Sequence, residues 1–116
     1  MQYVFTKKEA THFEKAGVSM WRFGGSEEQP NKLIYQEVIK GHEEEFENTK
    51  STFIYYILEG KGAYVIADVE YPVVAGDVIM IPPHTPFYYK GTMKQILMNT
   101  PLWEEGTDKH IRNIFL

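Results

Sequence analysis

Cysteine is absent from this 116-residue chain. That excludes a disulfide framework and any thiolate metal site, and it fits a reducing compartment, so the expected location is the cytoplasm. Long apolar runs are also missing. No stretch reaches the eighteen or so apolar residues of a membrane-spanning helix, and MQYVFTKKEATHF lacks the apolar run of a signal peptide, so a soluble protein with no membrane partner is expected. Positive charge is in deficit: twelve basic residues stand against sixteen acidic ones, a formal net charge of -4. A protein that binds by neutralising phosphates needs the opposite balance, which argues against nucleic acid as a partner. Catalytic signatures are missing too. There is no G-x-S-x-G, no phosphate-binding loop, no dinucleotide fingerprint and no H-E-x-x-H, since His42-Glu43 is not followed by a second histidine at the required spacing.

What is abundant is aromatic. Eight Tyr and seven Phe exceed the needs of a small core, so some are expected to line a cavity or an interface. The length suits one domain, 1–116, with a core region at 41–101, an N-terminal strand and helical turn within 1–30, and a C-terminal tail at 102–116.

The β-signal is concentrated between Phe53 and Tyr89. Gln2 to Phe5 reads as a short edge strand. Thr6-Lys7-Lys8-Glu9 has capping-box form, opening one or two helical turns that end near Gly17. Val18 to Phe23 and Lys32 to Lys40 read as strands, the second with apolar side chains on both faces. Gly41 to Lys50 is acidic and reads as a solvated loop. Thr52 to Leu58 is the strongest strand, and Glu59-Gly60-Lys61-Gly62 has hairpin glycines, with Ala63 to Ala67 as the returning partner. A turn follows at Asp68 to Pro72, and another at Ala75-Gly76-Asp77. Val78 to Ile81 is ended by Pro82-Pro83, and Pro86 to Tyr89 and Lys94 to Asn99 complete the series. Short strands at regular spacing indicate a sandwich or barrel. Ile111, Ile114 and Phe115 carry a weak helical spacing.

From about Gly41 to Pro101 the chain resembles the cupin superfamily, small jelly-roll β-barrels with two diagnostic motifs. In the second, G-x5-P-x-G-x2-H-x3-N, Gly76 and Pro82 match, while His84 replaces the second glycine, Phe87 the histidine and Gly91 the asparagine. The first, G-x5-H-x-H-x3,4-E-x6-G, fits Gly41 and Gly60 with the shorter spacing, placing Glu47 and Thr49 at the histidines and Phe53 at the glutamate. With the longer spacing, the histidine positions fall on Phe46 and Asn48. The resemblance implies an all-β, cupin-type barrel (a double-stranded β-helix, or jelly roll) with little helix. It also implies a degenerate metal site, with at most one conventional ligand of the four that such proteins use. Converging carboxylates and imidazoles justify burial only when a cation neutralises them, whereas the turn glycines serve the fold itself.

If Phe53 points inward, alternation turns Tyr55 and Ile57 inward as well, and Ile54, Tyr56 and Leu58 outward. By the same logic Phe87 and Tyr89 face in. The expected ligand-binding set is Tyr35, Phe53, Tyr55, Phe87 and Tyr89, with Tyr35 and Glu37, or Gln36 instead, entering according to strand register. These aromatics either fill the barrel or line a pocket, and phenol hydroxyls need partners that a dry core does not offer. The apolar outer stripe calls for a cover: an isologous homodimer, or the chain's own N-terminal strand or tail around Trp103 and Phe115.

Three functions follow as expectations. The first is a metal-free small-molecule binder with an aromatic pocket for a planar or sugar-like ligand, needing no cofactor. The second is a cofactor-independent isomerase or epimerase, with His84 or Glu37 as proton acceptor and Tyr55 or Tyr89 as donor. The third is a metal enzyme with shifted ligands His42, Glu47 and His84. Against the last two stand a turn histidine at His84 and a solvated loop at His42. His12 and His110 are assigned nothing.

Overall fold

The computed structural model describes residues 1–116 and is almost entirely strand. After a single 3-10 turn at Lys7–Glu9 come nine strands: β1 (Thr11–Lys15), β2 (Val18–Gly24), β3 (Lys32–Val38), β4 (Glu44–Asn48), β5 (Thr52–Ile66), β6 (Val69–Val74), β7 (Val78–Ile81), β8 (Phe87–Thr100) and β9 (Asp108–Asn113). All pairings are antiparallel. No helix is long and apolar enough to cross a membrane.

Two long strands organise the molecule. β5 and β8 pair from Thr52↔Thr100 to Ile66↔Phe87, and each half recruits different neighbours. The N-terminal half of β5 pairs with β7 through Phe53 to Tyr56, and the C-terminal half of β8 pairs with β3 through Met93 to Leu97. β3, β2 and β1 then continue that sheet. The other halves pair with β6 and with β4 at Phe46↔Phe87, and β9 extends from β4. Two curled sheets thus share β5 and β8, bent where Gly62 lies opposite Gly91, and the expected jelly-roll barrel results.

The bend corrects one expectation. Gly60 and Gly62 do not close a hairpin, because β5 runs straight through them with a register shift between Ile57 and Glu59. A bulge of this kind twists the strand so that it can leave one sheet for the other. Gly60 has φ +85, and a Cβ there would lie 2.1 Å from the Thr92 carbonyl oxygen. The hairpin between β5 and β6 falls instead at Ala67-Asp68, both with positive φ, the twist of a tight two-residue turn.

Other elements differ as well. Gln2 to Phe5 forms no strand. The N-terminal helical turn stops at Glu9, with the Thr6 hydroxyl donating to Glu9 Oε1 at 2.8 Å, and Thr11–Lys15 becomes a strand that pairs with β2. The acidic segment read as a loop contains β4, whose Glu45, Phe46 and Asn48 are buried. Two of its polar side chains bond to β9: Arg112 Nε donates to Glu45 Oε1 at 2.9 Å, and Asn48 Nδ2 donates to Asp108 Oδ1 at 2.9 Å. The tail carries β9, not a helix, because pairing with β4 satisfies its backbone.

Candidate functional site

Beneath β6 and β7 the barrel is filled by side chains such as Ile57, Tyr64, Ile79 and Phe87, all buried. Between β1–β3 on one side and β4 and β9 on the other it keeps a cavity of about 370 Å³. Filled core and pocket therefore coexist, in different halves of one interior.

The inner wall follows strand alternation. β5 contributes Phe53 and Tyr55, β8 contributes Tyr89, Leu97 and Asn99, and β4 contributes Phe46. In β3 it is Gln36 that faces in, with Ile34 and Lys32. Tyr35 and Glu37 therefore face away, and Tyr35 Oη donates to Glu37 at 2.9 Å while the Tyr35 ring lies 5.5 Å from that of Trp21. Burial and the neighbouring Glu37 carboxylate push this phenol up to about 12. Phe87 is buried but lies outside the cavity lining. Of the five aromatics expected at the ligand, Phe53, Tyr55 and Tyr89 line the cavity, and Tyr35 and Phe87 do not.

His42 is the residue that sequence reasoning undervalued. It follows Gly41 in what reads as a solvated loop, yet it is 2% exposed and lines the cavity. Its backbone N–H donates to the Tyr89 carbonyl at 2.8 Å, which fastens it beside β8. Nδ1 lies 2.6 Å from the Glu44 carbonyl oxygen. A carbonyl only accepts, so Nδ1 carries the proton and Nε2 is the basic nitrogen. Desolvation holds the imidazole below its ordinary range, opposed by the Glu44 carbonyl, so it is neutral at pH 7. The only sequence clue was the Gly41-His42 pair at the head of the first motif.

The two tyrosines differ in their partners. Tyr89 Oη donates to Gln36 Oε1 at 2.8 Å, Gln95 Nε2 donates to the same oxygen at 2.7 Å, and Tyr64 Oη donates to Gln95 Oε1 at 2.7 Å. This buried chain fixes Tyr89 and uses its proton inside the protein. No such bond holds the Tyr55 hydroxyl, which borders the cavity and is free to donate to a ligand. Burial pushes both phenols well above their ordinary value, so both stay protonated.

The other candidates lie elsewhere. His84 is exposed in a turn with φ +61, and its N–H donates to the Asn48 carbonyl at 2.8 Å. Glu47 pairs across to Lys109 on the side opposite Phe46 and Asn48, so the longer spacing of the first motif describes β4. His42, Glu47 and His84 are not brought together, and no three His, Cys, Asp or Glu side chains are arranged to hold a metal ion. Of the positions that the motif comparison set against the family's ligands, Phe46, Phe53 and Phe87 are buried and pack ring against ring, with centroids 4.7 to 5.8 Å apart. The two alternative proton acceptors, His84 and Glu37, are likewise outside the cavity.

Polar side chains line the cavity in two places, near Lys15 and near Arg22, at opposite ends of the β1–β2 pairing. Lys15 Nζ is paired with Asp108 Oδ2 at 3.3 Å. Lys32 Nζ sits 5.1 Å over the Trp103 ring and donates to the Trp103 carbonyl oxygen at 3.5 Å, and Arg22 and Asn99 line the cavity with it.

The Cupin domain family model matches residues 34–98. A solved structure of Pac13, described as a unique nucleoside dehydratase with a β-barrel, is 30% identical, with a TM-score of 0.93, over 99% of this chain and 95% of that one. Streptomyces PAC13 has been solved with uridine as the H42Q variant (29% identity, TM-score 0.92, 99% of this chain and 95% of that one). Its Y89F and Y55F variants, also with uridine, match equally well over 99% of this chain and 94% of theirs. KdgF from Halomonas sp., 14% identical with a TM-score of 0.72 over 90% of this chain and 98% of that one, shows the shared fold alone. No curated protein sequence matches the chain.

Proposed function

This chain belongs to the cupin family, and we propose that it binds a nucleoside of the uridine type in the cavity between its sheets and removes water from the sugar by acid–base catalysis. The observation that carries this reading is the convergence of His42, Tyr55 and Tyr89 on one cavity. The same residue types stand at the numbers replaced in the uridine-bound Streptomyces PAC13 variants.

Dehydration needs two proton transfers and no net redox change. Nε2 of His42, held neutral by burial, takes the proton from a sugar carbon acidified by a neighbouring carbonyl. The C–H electrons form the new C=C bond, the C–O bond one carbon further breaks, and the departing hydroxide takes up a proton to leave as water. Tyr55, whose hydroxyl is uncommitted, is the donor to that oxygen. Tyr89, anchored by Gln36, presents its lone pairs as an acceptor and orients a ligand hydroxyl. The aromatic walls of Phe46 and Phe53 exclude water and offer flat faces to a base or sugar.

The test is to mix the protein with uridine-type nucleosides bearing an oxidised sugar carbon and follow loss of one water by mass. His42→Gln and Tyr55→Phe are expected to slow turnover roughly a hundredfold or more, with binding of uridine, measured by titration calorimetry, retained. Uridine binding without any water loss would reduce the reading to a binder. Deuterium entering a recovered, undehydrated keto-sugar would favour isomerisation. The exposed outer stripe on β5 and β7 supports a homodimer in which a second copy covers it.

A further inference from the structure

The uridine reading leaves one end of the cavity unexplained. Arg22 and Lys32 lie on the same face of adjacent strands: Arg22 pairs with Ile34 and Gly24 with Lys32, so the two cations are diagonal neighbours. A single point locates both. A Cβ added to Gly25 would meet Lys32 Cγ and Cδ at 2.9 Å and Arg22 Nε at 3.5 Å. Two positive side chains are thus packed side by side in the lining of the cavity.

Neither has a carboxylate. The cations of the ion pairs are the N-terminus, Lys15, Lys50, Lys90, Lys94, His110 and Arg112. The acid on the cavity wall, Asp108, is committed to Lys15. Arg22 Nε is buried without any hydrogen-bond partner, and so is Asn99 Nδ2 on the neighbouring wall. Buried donors are normally satisfied, and a guanidinium N–H left without an acceptor is costly. Lys32 Nζ reaches only the Trp103 carbonyl oxygen, at 3.5 Å. In a chain of net charge -4, two like charges held together beside the unmatched donors of Arg22 and Asn99 make an anion site waiting for its acceptor.

We propose that Arg22 and Lys32, with Asn99, form a subsite for an anionic group, a carboxylate or a phosphate, carried by the ligand whose other end reaches His42 and Tyr55. This rests on the nucleoside reading for the identity of that ligand: the substrate is an acidic nucleoside or a nucleotide, not neutral uridine. Lys32 Nζ stands 5.1 Å over the Trp103 ring, and the guanidinium offers a planar fork that a carboxylate or phosphate accepts in two bonds.

Titration calorimetry at low salt, with uridine, uridine 5′-carboxylate, uridine 5′-monophosphate and inorganic phosphate as separate probes, tests the subsite. At least one anionic nucleoside is expected to bind roughly tenfold or more tighter than uridine, and the better of the two identifies the group. Arg22→Gln and Lys32→Gln, checked for an unchanged melting temperature, should erase that advantage while leaving uridine within about twofold. Arg22→Lys should keep part of it, and added salt should shrink it. Equal affinity for all three nucleosides would overturn the subsite and leave the nucleoside reading intact. So would a loss of uridine binding in Arg22→Gln as large as the loss of the anionic forms, which would make Arg22 a reader of a neutral carbonyl. If no nucleoside binds but phosphate does, and Arg22→Gln abolishes it, the subsite stands and the nucleoside reading fails. No binding of any probe overturns both.

Discussion

Tyr55 and Tyr89 are chemically identical, 5.6 Å apart between ring centroids, and separated in role by one hydrogen bond. Removing the Tyr89 hydroxyl leaves Gln36 Oε1 with one fewer donor inside a sealed network, so Tyr89→Phe is expected to cost about 1–2 kcal/mol in denaturant unfolding. Tyr55→Phe removes no protein hydrogen bond and should change stability by less than about 0.5 kcal/mol while slowing turnover roughly a hundredfold or more. His42 adds a pH dependence. Its folded-state value is depressed, so activity is full where the imidazole is neutral and falls as pH drops through that depressed value. The acid limb of kcat/KM should therefore have its midpoint below 6.5. Stability follows the same sign: it is unaffected above 6.5 and declines as pH falls from there toward the folded value, because the unfolded chain takes the proton first.

The strands β5 and β8 explain why an inner residue on one sheet meets an inner residue on the other. Their bend rests on Gly60, where positive φ combines with the close approach of the Thr92 carbonyl. Gly60→Ala would be strained in backbone and in packing together, and we expect a loss of about 3 kcal/mol in chemical denaturation. Gly76, with φ +95 but nothing within 4 Å of an added Cβ, should lose only about half as much on the same substitution, since only backbone strain applies. The contrast separates a glycine required for approach from one required for a turn.

Across the whole molecule, apolar side chains gather on one outer face. Met80 is 67% exposed, Val78 50%, Met98 46% and Tyr56 44%, and the pairings Ile54↔Met80, Tyr56↔Val78 and Ile54↔Met98 make them neighbours. The chain's own ends do not cover this face. Trp103 lines the cavity, and Phe115 is itself exposed. A second copy is the expected cover, and analytical ultracentrifugation should show a dimer that Tyr56→Lys with Met80→Lys converts to a folded monomer. A monomeric wild type at tens of micromolar would end that reading.

Alternation and turn chemistry alone determined the all-β class, the strand cores at Val18, Thr52 and Val78, and the inward facing of Phe53 and Tyr55, since these depend on neighbours one or two residues apart. Gly76 and Pro82 carried the family frame for the same reason. The tertiary structure decided what depends on distant partners. It made β4 and β9 strands by pairing an acidic run with the tail strand that carries Lys109, His110 and Arg112, turned the glycines at 60 and 62 from a hairpin into a bend, and chose Gln36 over Tyr35 through the register with β8. It also drew His42 into the interior and set Arg22 beside Lys32. Burial and charge matching are properties of contacts between strands far apart in the chain. A residue's own neighbours in sequence do not encode them.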